Sequence, residues 1–165
     1  MTTNININID GKTTTTTRGR ELILERVIDA PREKVFAAWT DPEQMKQWFA
    51  PKPWTTPHVE TDLRAGGASL VVMRSPEGQE IPCQGVYLEV VPNERLVFTD
   101  AFTAGWEPTG KAFMTVELTF EDLGGRTRYT ATVKHWNDTD RAQHEQMGFH
   151  QGWAMCAEQL SALVE

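Results

Sequence analysis

Apolar and polar residues alternate along two neighbouring segments, 112–121 and 126–136. Successive side chains of a strand point to opposite faces, so this period of two predicts strands with one covered and one solvated face. Four earlier segments follow a similar pattern between clusters of Gly, Pro, Asn and Ser: 58–63, 68–74, 84–91 and 95–102. The short breaks predict antiparallel hairpins. With a β-branched segment at 21–28, the pattern predicts a seven-stranded antiparallel sheet.

The C-terminal segment from Asp140 is predicted to be the element that covers this sheet. It is about 24 residues long, and its apolar residues share one stripe when each residue turns by about 100°. The stripe consists of Phe149, Trp153, Cys156, Ala157, Leu160, Leu163 and Val164. Two short helices are predicted after the first strand, one beginning at Pro31 and one within 41–49. The fold class is therefore α+β, a curved sheet wrapped on a long C-terminal helix.

A row of small residues lies along the margin of that stripe, at Gly148, Gly152 and Cys156. A glycine inside a helix costs about 1 kcal/mol relative to alanine, so the row indicates a place where another backbone comes close. On this interpretation, Gly152→Leu should destabilise the protein by overpacking that contact.

Residues 1–20 are predicted to form a flexible N-terminal tail, because the threonine run 13–17 offers no apolar face. The alternative is an edge strand formed by the alternating Ile5, Ile7 and Ile9. Residues 21–165 are predicted to form a single domain, which suits a chain of 165 residues.

Charge restricts the partners that this chain can have. The formal net charge is −7 and no basic stripe is present, so nucleic acid and anionic membrane surfaces are both disfavoured as partners. No segment has the length and apolarity that membrane insertion needs. Cys83 and Cys156 are far apart and form no CxxC pair, which favours idle thiols in the cytoplasm. The sequence leaves a monomer and a homodimer open.

Motifs for catalysis and metal binding are incomplete. His144-Glu145 resembles the start of a zinc HExxH motif, but Gly148 stands where the second histidine belongs. His144 and His150 are six residues apart, about 240° around a helix, so they cannot share a metal on one helix. Nucleotide-binding loops and a GxSxG elbow are absent from the sequence. We therefore predict no metal, no cofactor and no catalytic residue.

Eight residues are predicted to bind a ligand, all in or around the space between sheet and C-terminal helix. Trp54 and Trp106 lie in loops, where aromatic side chains form either lids or hydrophobic plugs. Tyr129 and His135 are on the inward register of the last strand, and Trp153 is on the helix stripe.

The remaining three candidates are polar. Gln146 and His150 border the apolar stripe, where they either cap the helix near solvent or give a cavity its polar contacts. Glu89 stands in an otherwise apolar strand, either facing solvent or carrying a pKa raised by burial. A packed core and a hollow one give the same periodicity in the sequence, so the sequence does not decide whether a cavity is present.

Several motifs in this order resemble one known family. They are RVIDAP at 26–31, TDPE at 40–43, DLRAGG at 62–67, GVYLE at 85–89, ERLVFT at 94–99 and MGFHQGW at 147–153. The chain resembles, over about residues 20–165, the family named after the ATPase activator of the ninety-kilodalton heat-shock chaperone. That family lies within the START-like, birch-pollen-allergen-like (SRPBCC) superfamily. The resemblance implies a helix-grip fold, often with a hydrophobic cavity, but not one activity, since the superfamily includes lipid carriers, cyclases and hydroxylase subunits.

The sequence therefore favours a domain that binds a small apolar or amphipathic molecule between the sheet and the C-terminal helix. Two alternatives stay open. One is a cyclase- or hydrolase-like enzyme that acts in the same cavity, and the other is a module that binds a chaperone or another protein partner.

Overall fold

A computed structural model describes residues 5–9 and 11–165; residues 1–4 and 10 lie outside the described part of the chain. The helices are α1 (Arg32–Thr40), α2 (Pro42–Trp48), α3 (Asp138–Gln146) and α4 (Phe149–Val164). The strands are β1 (Ile5–Asn8), β2 (Thr13–Arg18), β3 (Glu21–Ile28), β4 (Thr55–Thr61), β5 (Ala68–Arg74), β6 (Glu80–Val91), β7 (Arg95–Thr99), β8 (Phe102–Thr103), β9 (Glu107–Pro108), β10 (Met114–Asp122) and β11 (Thr127–His135).

Nine of these strands form one antiparallel sheet in the order β1-β2-β3-β11-β10-β7-β6-β5-β4. All seven predicted strands are present, and the α+β helix-grip architecture is confirmed. The strand count is nine rather than seven because β1 and β2 extend the sheet beyond β3. Strand β3 pairs with the last strand, β11, with Leu24 opposite Ala131, so the sheet order does not follow the chain order.

Of the flexible tail predicted over 1–20, residues 1–4 and 10 lie outside the described part of the chain, and the described residues include two paired strands instead. Strand β2 pairs with β3 along its full length, and β1 pairs with β2. Thr13, Thr15 and Thr17 point inward and are buried. Threonine is β-branched and suits a strand, and a buried hydroxyl is tolerated where it finds a hydrogen-bond partner, as these do.

The C-terminal helix is interrupted, whereas the sequence predicts one continuous helix. Asn137 caps α3, its side-chain Oδ1 accepting a hydrogen bond from the Asp140 N–H at 2.8 Å. Gly148 then has φ of +97°, a left-handed conformation that cannot continue a helix and that glycine adopts without strain. Helix α4 starts immediately afterwards, at Phe149.

The proposed close contact along the small-residue row is not present. A Cβ added at Gly152 would meet no atom within 4 Å apart from its own helix and chain neighbours. Gly148 is explained by its backbone conformation rather than by a neighbour. The prediction that Gly152→Leu overpacks a contact is therefore wrong, because that side of α4 faces open space.

The closed half of the molecule is a packed apolar core. Helix α4 lies against β2, β3, α1 and α2, while α1 reaches β10 and α2 packs on β4. Leu24, Leu118 and Leu160 are fully buried there, and each such side chain contributes about 1.5–3 kcal/mol. None of the helices in residues 5–9 and 11–165 is long and apolar enough to cross a bilayer.

Two tryptophans tie the small helices into this core. The Trp39 Nε1–H donates to the Tyr129 hydroxyl at 3.1 Å, and the Trp48 Nε1–H donates to the Ala38 carbonyl at 2.8 Å. Their rings meet edge to face with centroids 4.7 Å apart. Both indole N–H groups are thus satisfied inside the core, as burial of Trp requires.

Candidate functional site

Five of the eight predicted site residues lie apart from one another. Glu89 is exposed and pairs with Arg95 at 3.2 Å, and Gln146 is exposed at the end of α3. Tyr129 is only 2% exposed and belongs to the packed core. Trp54 is half-buried in the loop before β4, while Trp106 is 52% exposed and its ring contacts Phe102.

The other three predicted residues lie together at the break between α3 and α4. His135, His150 and Trp153 are joined there by His144, which the sequence did not select, and by Phe149. The ring centroid of His144 is 5.1 Å from that of His135, 5.1 Å from Phe149 and 6.4 Å from Trp153. Phe113 closes the group, 5.2 Å from His144. We call Phe113, Phe149 and Trp153 the aromatic wall around His144.

The hydrogen bonds of His135 and His144 fix their tautomers. Nδ1 of His135 is 2.8 Å from the Arg20 carbonyl oxygen, which can only accept, so this nitrogen carries the proton. Nε2 of His135 is then an acceptor, and Nδ1 of His144, 2.9 Å away, must donate to it. The remaining nitrogen, Nε2 of His144, therefore carries a lone pair.

Both imidazoles are held neutral. Burial, with the neighbouring His135 and His150 adding to it, lowers the pKa of His144 to about 4. Burial also lowers the pKa of His135, against the hydrogen bond to Arg20. At neutral pH His144 is thus a hydrogen-bond acceptor, and its pKa is too low for an efficient general base, which works best near the operating pH.

A second polar group fastens α3 to β2 and α4. Glu145 accepts hydrogen bonds from Thr17 at 2.9 Å and from His150 at 2.8 Å, and it forms an ion pair with Arg141. Burial alone would raise the pKa of Glu145, but the hydrogen bonds from His150, Arg141 and Thr17 outweigh burial and lower it. The other nitrogen of His150 is 2.7 Å from the Thr15 hydroxyl, so both His150 nitrogens are bonded within the protein.

Strand register shows that the concave face continues beyond the helices. Val71 belongs to the core and lies opposite Cys83, and two residues further along β5 Met73 lies opposite Ile81. Side chains at these positions point to the same face as Val71. Cys83 is exposed and Ile81 is 38% exposed.

The same face includes half-buried residues on the central strands. Phe98 pairs with the core residue Val116, and Met114 pairs with His135. We call the five residues Met73, Ile81, Cys83, Phe98 and Met114 the open end of the concave face. Among the described residues, the extensive helix contacts are with β2, β3, β4, β10 and β11, and β5 and β6 make none of comparable extent.

Two glycines shape this end of the sheet. A Cβ at Gly85 would lie 2.1 Å from the Thr99 carbonyl oxygen, and one at Gly67 would lie 1.9 Å from that of Asp62. Only glycine fits where backbones approach this closely. The approach at Gly85 comes where β6 passes the end of β7, so the outer part of β6 extends past its neighbour.

The described part of the chain contains no group of three or more His, Cys, Asp and Glu residues that could hold a metal ion. His135 and His144 bond to each other instead. The groups brought together here are an apolar surface, an aromatic wall and a neutral hydrogen-bond acceptor.

The break at Gly148 explains why sequence reasoning passed over His144. On one continuous helix, His144 would lie about 140° away from Phe149, outside the apolar stripe. Phe113 was also missed, because it has the parity of the solvated residues of β10 although it precedes that strand. The signal that could have revealed both is Gly148 itself, since a glycine following a helical segment often ends it.

The chain was compared with families of known proteins. Residues 29–165 match the family described as "Activator of Hsp90 ATPase homolog 1-like protein". The chain belongs to this family. No curated protein matches the chain.

Solved structures of bacterial proteins resemble this chain over most of its length. A crystal structure from Nitrosomonas europaea is 38% identical, with a TM-score of 0.84 over 87% of this chain and 92% of that one. One from Chromobacterium violaceum is 28% identical, with a TM-score of 0.72 over 88% and 97%. An AHSA1-like protein from Aeromonas hydrophila is 23% identical, with a TM-score of 0.67 over 86% and 90%, and shows the shared fold.

Proposed function

We propose that this Hsp90-activator-like protein binds a small apolar or amphipathic molecule at the open end of the concave face, against the first turns of α4. The single observation that carries the proposal is the set of inward-facing side chains Met73, Ile81 and Cys83 on β5 and β6, which lie beyond the extensive helix contacts. Phe98, whose ring packs on Trp39 of α1, and Met114 are half-buried and connect this set to the core. Soluble proteins rarely leave a contiguous apolar surface exposed without a binding role. Trp153, half-buried at the start of α4, would form one wall of the site.

A ligand of modest size can reach useful affinity by apolar contact alone. About 400 Å² of apolar contact contributes about 10 kcal/mol before the costs of association are subtracted. A micromolar Kd requires about 8 kcal/mol. A ligand that buries about this area on the open end and the aromatic wall would therefore bind in the micromolar range.

The enzymatic alternative has less support. A cyclase or hydrolase needs a group that exchanges protons near neutral pH, whereas the pKa of His144 is about 4 and Glu89 is exposed and paired with Arg95. A binding role needs only the apolar surface and a small number of polar contacts.

The test is a titration of the native protein with Nile red, a neutral apolar dye. We expect saturable binding with a Kd in the micromolar range. Trp153→Ala should weaken it about tenfold, since the loss of an aromatic wall removes contact worth more than 1 kcal/mol. The matched control is Trp136→Ala, because Trp136 follows His135 in the chain and is 54% exposed. Dye fluorescence that rises only when the protein melts would contradict the proposal.

A further inference from the structure

We propose that the head group of the ligand is a neutral hydrogen-bond donor, a hydroxyl or an amide N–H, which donates to Nε2 of His144. This inference rests on the proposed function above and specifies the chemical class of the molecule. Its first support is the direction of the hydrogen-bond chain from the Arg20 carbonyl through His135, which leaves Nε2 of His144 as an acceptor.

The second support is that this acceptor has no donor. Among the described residues, Nε2 of His144 receives no hydrogen bond, although the side chain is 8% exposed and the ring lies within the aromatic wall. Nε2 of His144 is not one of the fully buried polar side-chain atoms that lack a partner in the described residues, so this nitrogen keeps contact with solvent. A ligand that covers this nitrogen without donating to it would remove that contact and put no hydrogen bond in its place, at a cost in free energy.

The third support is the connection between His144 and the open end. Met114 of the open end lies opposite His135, and Nε2 of His135 is hydrogen-bonded to Nδ1 of His144. A ligand with its apolar body on Phe98 and Met114 would therefore have its head on the side of His135 and His144.

The charges around His144 favour a neutral head. A carboxylate would direct its own lone pairs at the lone pair of Nε2. Arg141, a cation on the same helix as His144, is already paired with Glu145 and bonded to the Gly19 carbonyl. An ammonium would need a counter-charge in an apolar site, and Glu145 is already engaged by Arg141, His150 and Thr17. A hydroxyl or an amide N–H meets neither obstacle.

The experiment compares two isomeric probes, n-decanol and methyl nonyl ether, by displacement of Nile red. They have the same number of heavy atoms, and only the alcohol can donate a hydrogen bond. We expect the alcohol-to-ether affinity ratio to fall about tenfold in His144→Phe, the size of one hydrogen bond in a dry site. The control is His58→Phe, since His58 is exposed on β4 and pairs with Glu60, and there the ratio should not change.

The outcomes separate the two proposals. An unchanged ratio in His144→Phe, or tighter binding of n-decylammonium than of n-decanol, would overturn the neutral-donor inference while leaving the binding site intact. Failure of all three probes to bind the native protein would overturn the binding proposal and the inference with it.

A measurement on the unmutated protein covers the case in which His144→Phe does not fold. The nitrogen NMR resonance of Nε2 of His144 should move when n-decanol binds, because a pyridine-type nitrogen responds strongly to accepting a hydrogen bond. Methyl nonyl ether should leave it in place. Equal movement with both probes would contradict the inference.

Discussion

At the scale of single residues, two glycines four positions apart in sequence have opposite requirements. Gly148 has a φ of +97°, while Gly152 lies within the first turns of α4 with open space where a Cβ would stand. The sequence places both in one row of small residues, because composition does not distinguish a backbone requirement from a packing requirement.

Alanine substitution at these two glycines should shift stability in opposite directions. Gly152→Ala should stabilise by about 0.5–1 kcal/mol, because alanine loses less backbone entropy in a helix. Gly148→Ala should destabilise by about 1–2 kcal/mol, because an L-residue is strained in the left-handed region. Thermal melts of the two variants check this, with shifts of about 2–4 °C per kcal/mol for a chain of this size. A loss of stability in Gly152→Ala would contradict this prediction and support the close backbone contact that the sequence suggested.

Burial of His144 should make stability depend on pH. Its pKa is about 4 in the folded protein and about 6.5 when unfolded, so the unfolded state binds more protons between these values. The free energy of unfolding is therefore highest above about pH 6.5, and it falls by up to about 3 kcal/mol as the pH is lowered towards 4. The lowered pKa of His135 acts in the same direction.

Denaturant midpoints between pH 7 and pH 4.5 measure this effect in the unmutated protein and in His144→Phe. The variant should lose much of the pH dependence, whereas His58→Phe, at an exposed site, should keep it. A variant with the slope of the unmutated protein would show that the buried imidazole is not its source.

At the scale of elements, the unexpected strand β2 leads to a prediction for β3. Amides of a central strand point alternately to its two neighbours, so half of the β3 amides face β2 and half face β11. Native-state hydrogen exchange should protect both sets. If the N-terminal residues were a flexible tail, the set facing β2 would exchange rapidly while the set facing β11 stayed protected as an internal control.

Local pattern predicted most elements and missed those that depend on distant partners. Strands β10 and β11 were predictable because their alternation is strong and Gly124-Gly125 marks the turn. Strand β2 was not, since its inward residues are threonines whose hydroxyls find partners at His150 and Glu145, far away in sequence. The end of α3 was missed because apolar residues continue past Gly148.

The sequence pattern identified some residues of the candidate site but not how they are arranged in space. His135 and Trp153 were selected from their register and stripe, and the structure brings them together through His144. Tyr129 was selected by the same rule, yet it lies where α1 covers the sheet and bonds to Trp39. Periodicity identifies the covered face of an element but not which end of that face is filled.

At the scale of the whole molecule, covered and uncovered regions are unequal. Helices α1, α2 and α4 cover the sheet near Leu24, Leu118 and Tyr129, and β5 and β6 reach beyond them. A rigid packed half can support a half that stays accessible, which is the arrangement that binding proteins require. Under the proposed binding function, stability and recognition would lie at different ends of one sheet.

The pairing of β3 with β11 also governs how the chain can reach this state. Leu24 and Ala131 face each other across roughly a hundred residues of intervening chain, so closing the sheet is a non-local and slow event. During synthesis, β3 can pair with β2 as soon as both emerge, but its other edge waits until Thr127–His135 has left the ribosome. The buried threonines of β2 thus give the growing chain an early partner for β3 and shield one of its edges from other nascent chains.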